Sequence, residues 1–218
     1  MSTPRLARWA PITGIGFVAL AIAVISLEGE EPADNANPAD IVSSWLDRAD
    51  TALLSVFLAT GAAVCLLAFG ATLRSALRSR ESGEASSSTV AFAGTIIAAV
   101  GLLFSATVSF AASESAEQGH TDPTVALDAL ASEGWIPITG GFAAMFLATG
   151  IGAIRSGGLP SLLGWSALVL GAAFVTPAGL VAFFLTPLWI IATSVVLVRA
   201  GDRRQRFSSA PQATQPAH

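Results

Sequence analysis

LPSLLGWSALVLGAAFVTPAGLVAFFLTPLWIIATSVVLV, residues 159–198, is a run of forty residues without one charged side chain. As a single helix it would be ~60 Å long at ~1.5 Å per residue, about twice the hydrocarbon thickness of a bilayer. It must therefore cross, turn and cross back. The turn is expected at Thr176-Pro177-Ala178-Gly179, where proline resists helix continuation and glycine permits reversal. The alternative, a turn at Pro187, would leave a last segment too short to cross.

The rest of the chain is equally apolar. Of 218 residues, 53% are hydrophobic and only 12% are charged, and the mean hydropathy is +0.66. Soluble domains carry about 25% charged residues, so lipid is the expected solvent. The length accommodates about six membrane helices and leaves no room for a separate catalytic domain. One cysteine, Cys65, excludes an internal disulfide and a multi-cysteine metal site. All eleven basic residues are arginine, in a chain rich in Ala and Gly, which points to a high-GC bacterial genome.

We read an all-α, polytopic membrane helix bundle with crossings at 9–27, 51–73, 90–113, 135–154, 159–176 and 180–198, within a membrane domain spanning 1–200. A disordered cytoplasmic tail is expected at 201–218, rich in Pro, Gln, Ala and Ser. Arg5 and Arg8 before an apolar run also describe a signal peptide. The run is long, however, and Glu28-Gly29-Glu30 follows it rather than a small-residue cleavage site, so a retained first helix is expected. Between the first two crossings, Asn37-Pro38 with Asp40 marks a helix start. Ile41, Val42, Trp45, Leu46 and Ala49 then share one face. That pattern fits either an amphipathic helix with Trp45 at headgroup depth or the first turns of the next crossing. Glu81–Thr89 reads as a flexible linker. Asp122-Pro123 marks another helix start, with Val125, Leu127 and Leu130 as a weak apolar face. The Ala, Gly, Ser and Thr of 90–113 suit close helix packing.

Charge orients the bundle. With six crossings, ten of the eleven arginines fall on the side of the two ends, and only Arg48 falls opposite. Twelve of the fifteen acids lie in loops 28–50 and 114–134. Arginine-rich short loops stay cytoplasmic, so both termini are expected in the cytoplasm of a plasma-membrane protein, with both acidic loops outside.

Chemistry is mostly excluded. No Asp, Glu, Arg or His lies inside any crossing. An ionisable residue at that depth costs roughly 2.5–3.5 kcal/mol on insertion scales and marks proton relays and ion paths. This argues against proton-coupled transport, paired-histidine haem binding and intramembrane proteolysis. No catalytic, cofactor-binding or metal residue is assigned, and no nucleic-acid partner is expected. Cys65 reads as a packing residue, although a redox or lipidated thiol has the same sequence signature. Pro187 and Trp189 read as a helix kink, or as a broken helix around a ligand. Gly61 with Cys65, and Gly171 with Val175, have the spacing of close contacts. Glu114, Glu117, His120 and Asp122 together suggest a weak divalent-cation site, against the simpler reading of a solvated acidic loop. Two echoes hint at duplication. Residues 9–14 (WAPITG) resemble 135–140 (WIPITG), and FLATG occurs at both 57–61 and 146–150. The two matches have different offsets, so they do not register one repeat.

The chain resembles a family of six-helix integral membrane proteins of actinobacteria with no assigned activity. The likeness rests on Trp45, on Phe69-Gly70…Leu73-Arg74…Leu77, on Leu159-Pro160…Leu163-Gly164-Trp165 and on Pro187-Leu188-Trp189…Ser194…Leu197. It implies a six-helix plasma-membrane bundle and carries over no functional residue. The expected partners are the lipid bilayer and another membrane protein or a second copy. The leading functional expectation is a non-enzymatic structural, accessory or sensor component. The alternative is a small transporter or channel for a neutral or lipophilic solute, and an enzyme acting on lipid ranks third.

Overall fold

The structure is a computed structural model that describes residues 12–27, 29, 36–81, 86–157 and 159–208. These form α1 (Thr13–Leu27), α2 (Pro38–Arg78), α3 (Ser86–Glu117), α4 (Thr121–Ser132), α5 (Trp135–Ser156), α6 (Ser161–Phe174) and α7 (Gly179–Ser208). The fold is an all-α bundle, and the protein is membrane-embedded. Among the described residues four stretches are long and apolar enough to cross: α2, α3, the α4–α5 stretch Thr121–Ser156, and Gly179–Arg199 of α7. Phe57, Leu162, Val169, Leu180 and Phe184 point outward and are largely exposed. Such a belt suits lipid and not water.

Local chemistry sets the helix ends. The Asn37 side chain accepts from the Ala39 and Asp40 amides, both at 3.0 Å, with Pro38 as the first helical residue. From there α2 runs for 41 residues without a break. The stretch around Trp45 is therefore the start of the second crossing helix and not a separate interfacial one. Nothing between Asp50 and Thr51 stops a helix, so propagation continues. Gly157, with φ of 64°, ends α5, and Gly119, with φ of 74°, makes the turn into α4, which starts where Asp122-Pro123 predicts. The expected reversal is present: the Gly179 amide donates to the Thr176 carbonyl at 3.0 Å, and α7 runs on through Pro187.

Three expectations need correction. The fifth crossing, expected over 159–176, is the 14-residue α6, because Pro160 stands at its N-cap and Pro177 disfavours helix in the residue before it. At ~1.5 Å per residue α6 is ~21 Å long, and α1, expected over 9–27 and described from Thr13, is about as short, so both are matched to a ~30 Å hydrocarbon core only with local thinning of the bilayer. The linker 81–89 is not loop throughout, since α3 begins at Ser86. There the Glu81 carboxylate accepts from the Ser88 amide (2.9 Å) and hydroxyl (2.7 Å), an anion placed at a helix N-terminus. The tail is helical as far as Ser208, because good helix formers such as Arg and Gln continue α7; 209–218 and the basic start 1–8 lie outside the described residues.

One large core joins α1, α2, α3, α5, α6 and α7. Its centre is aromatic: Phe17, Phe142, Phe146, Phe174 and Trp189 form a chain of ring contacts with centroids 4.9–6.3 Å apart. Trp189 also donates to the Leu163 carbonyl at 3.1 Å, tying α7 to α6. The α3–α5 seam is set by small residues. A Cβ on Gly141 would meet the Ala98 backbone, and one on Gly94 would meet the Met145 and Gly141 backbone. A separate small core caps one end of the bundle. There Trp45, 5% exposed, packs on Ala112 and Ala116 beside Leu127 and Ala131. Trp45 is thus buried between helices.

Candidate functional site

The element order places the charges at opposite ends. Arg74, Arg78, Arg80, Arg155 and Arg199 stand where α2, α5 and the apolar part of α7 finish. The start of α2, the end of α3 and all of α4 make the acidic end, with Arg48 as its one described arginine. Between the acidic end and the aromatic core lies a cleft of about 780 Å³, within the size range of small-molecule sites. Its walls are α1 (Phe17 to Leu27), α2 (Ile41 to Ala62), α3 (Leu102 to Ser113), α4 and the first two turns of α5, and Phe183 of α7 reaches it from below.

The lining has a pattern. Thr51 and Ser55 stand one turn apart on α2, and Ser105, Ser109 and Ser113 stand one turn apart on α3. Ser132 and Thr139 add further hydroxyls. In apolar surroundings a serine or threonine hydroxyl ordinarily bonds to a carbonyl one turn back, as Thr51, Thr60, Thr72, Thr95 and Thr107 do here. Ser113 does not. It is 2% exposed and its Oγ has no partner. A buried hydroxyl left without a bond costs about 1–3 kcal/mol, so this position has an unused capacity for a hydrogen bond. Pro187 contributes a second polar feature, because it supplies no amide to the Phe183 carbonyl one turn earlier.

The described residues of the mouth include polar contacts. Trp45 Nε1 donates to Asp128 Oδ1 at 2.9 Å across α2 and α4. The Arg48 guanidinium lies 4.9 Å from the centre of the Trp45 ring. The floor is closed by Phe17 and Phe142, with the rest of the aromatic chain beneath them. Past the floor, toward the arginine end, Thr149, Thr193 and Ser194 are buried with unpartnered hydroxyls.

The features singled out from sequence fare unevenly. Cys65 is partly buried and packs at α1, where a Cβ on Gly16 would meet its Sγ at 3.3 Å. Gly61 faces Leu20, and Gly171 faces Leu147, as close-contact positions should. Trp189 is a core anchor. The cation suggestion fails: Glu114, Glu117, His120 and Asp122 are all exposed, and among the described residues no three acidic, His or Cys side chains gather for a metal. The Gly119 turn sends α3 and α4 in different directions, so neighbours in sequence do not converge. The FLATG echo is not structural either, since Phe57 is 66% exposed and Phe146 is 0%. Sequence reading did not find the cleft, although the four-residue spacing of Ser105, Ser109 and Ser113 was its available signal. No protein-family model, curated protein or solved structure matches the chain.

Proposed function

We propose that this chain is a non-enzymatic multi-pass protein of the plasma membrane that binds a small neutral or lipophilic molecule in its cleft, as a sensor or accessory component. The reading includes six crossings, with the short helices α1 and α6 accommodated by local thinning of the bilayer, both ends cytoplasmic and the acidic end outside, in keeping with the arginine distribution and with the resemblance to six-helix actinobacterial proteins. One observation carries it: a hydroxyl-lined cleft holding a buried hydroxyl, Ser113, that has no partner. A neutral ligand suits the lining because α1, α3 and α5 bring no charge to it. Binding without passage suits the floor, where stacked aromatic rings separate the cleft from the arginine end.

A second reading, a carrier for such a solute, is favoured by Thr149, Thr193 and Ser194, whose unpartnered hydroxyls continue a polar track past the floor. Liposomes containing only this protein separate the two. The sensor reading expects hexanol to raise the melting temperature saturably, an effect lost in Ser109→Trp, with no protein-dependent flux of glycerol or hexanol. Saturable flux by the protein alone moves the assignment to a carrier. Absence of both binding and flux removes the cleft from the functional account. A reporter fused after Gly119 should read as extracytoplasmic, and a cytoplasmic signal overturns the orientation.

A further inference from the structure

The cleft has a second opening, on its side. The helices α1 and α5 meet where Phe17 reaches Phe142, with ring centres 6.3 Å apart. Toward the acidic end both helices wall the cleft, through Val24, Ile25, Ile138 and Thr139, yet they make no extended contact with each other. Among the described residues no other helix fills that gap. The end of α6 is fixed low on α5, since Gly171 packs on Leu147 and Phe174 stacks on Phe142 and Phe146. Residues 135–141 of α5 therefore rise about 10 Å beyond α6. A Cβ on Gly140 would meet nothing within 4 Å. The flanks of this gap are Ile22, Ile25 and Ile136, all exposed and apolar. A gap with such flanks, in a membrane-embedded chain, faces acyl chains and not water.

From this we infer that the occupant is a lipid of the surrounding bilayer that enters sideways between α1 and α5, with an uncharged, hydroxyl-bearing headgroup of the acylglycerol class. The inference rests on the ligand-binding reading above and names its ligand. The chain of such a lipid leaves through the apolar gap over Phe183. Its head lies among Ser105, Ser109 and Ser113, where hydroxyl and ester groups find donors and acceptors. A headgroup without net charge suits the mouth, whose lining holds one acid, Asp128, and one base, Arg48, while the acidic residues of the surrounding end disfavour an anion. Anionic lipids are instead suited to the arginine end.

The test uses the full chain in phosphatidylcholine nanodiscs doped with a photoreactive acyl probe, either diacylglycerol or phosphatidylglycerol, with crosslinks mapped by mass spectrometry. Diacylglycerol is expected to label the cleft segments 21–25, 102–110 and 135–142 about tenfold more than the outward-facing Phe57 and Leu162, a preference worth about 1.4 kcal/mol. Excess dioleoylglycerol should remove that preference. Ser113→Ala should lower cleft labelling about two- to tenfold, the effect of one lost hydrogen bond, without lowering the melting temperature. Equal or stronger cleft labelling by phosphatidylglycerol overturns the headgroup assignment. If both lipids label evenly while a water-borne photoreactive alkyl alcohol labels the cleft and Ser109→Trp blocks it, lateral lipid entrance is wrong and the solute-binding reading stands. If no probe prefers the cleft, both fall.

Discussion

The two halves of α3 use one stripe of small residues for opposite ends. Toward the arginine end, Gly94, Ala98 and Gly101 let α5 approach until backbone meets backbone. Toward the acidic end the same stripe continues as Ser105, Ser109 and Ser113, and there it faces a cleft. The divide is Gly134, just before α5 begins, which abuts Ser105. Small side chains therefore permit a seam or a cavity, and the neighbouring element decides which forms. The chemistry of the stripe follows that choice: methyl groups and hydrogens where the space is dry, hydroxyls where it is open.

Substitutions that break this contrast should rank by how much packing they disturb. Phe142→Ala removes the ring that links the floor to four other aromatics' cluster and should cost about 3–5 kcal/mol, read as a large fall in melting temperature in detergent. Gly141→Ala places a methyl group against the Ala98 backbone, which cannot rotate away, and should cost about 1–3 kcal/mol. Its neighbour gives the sharpest control: Gly140→Ala meets open space and should gain up to ~1 kcal/mol from helix propensity. A similar cost in both variants would mean that the seam is not where α5 is held. Trp45→Phe deletes the bond to Asp128 while keeping most of the ring, and should cost about 1–2 kcal/mol, confined to the acidic-end cluster and visible as faster amide exchange in α4. The smallest change has the opposite sign. Ser113→Ala removes a buried hydroxyl without a partner and should leave the ligand-free protein as stable or slightly more so, in a thermal melt.

How much of this was legible follows from which forces act locally. Uncharged runs and arginine placement need only hydropathy, and they marked the helical segments and the expected order of the charges. The starts at Asn37-Pro38 and Asp122-Pro123 were legible because a cap is a local bond. Less was legible where the partner is distant in sequence. Trp45 finds Asp128, which lies 83 residues away, so it is buried between helices. Glu81 reaches Ser88 across a stretch that composition alone marks as loop. The FLATG pair makes the same point: five identical residues present Phe57 to lipid and Phe146 to the core, because only the second lies opposite α6 and Trp189. The cleft was hidden for a related reason. Serine at four-residue spacing is equally suited to a helix seam, and only the position of α5 and α6 separates the alternatives.

The central claim is that the hydroxyl stripe of α3 borders a cleft that, among the described residues, is open at the acidic end and closed beneath. Because Cys65 is the only cysteine, Ser109→Cys and Thr193→Cys can each be made in a Cys65→Ala chain and exposed to a membrane-impermeant thiol reagent from either side. We expect Ser109→Cys to react from the outside and Thr193→Cys from neither side. Reaction of Ser109→Cys only from the cytoplasmic side, or no reaction while both chains remain folded, would contradict the account.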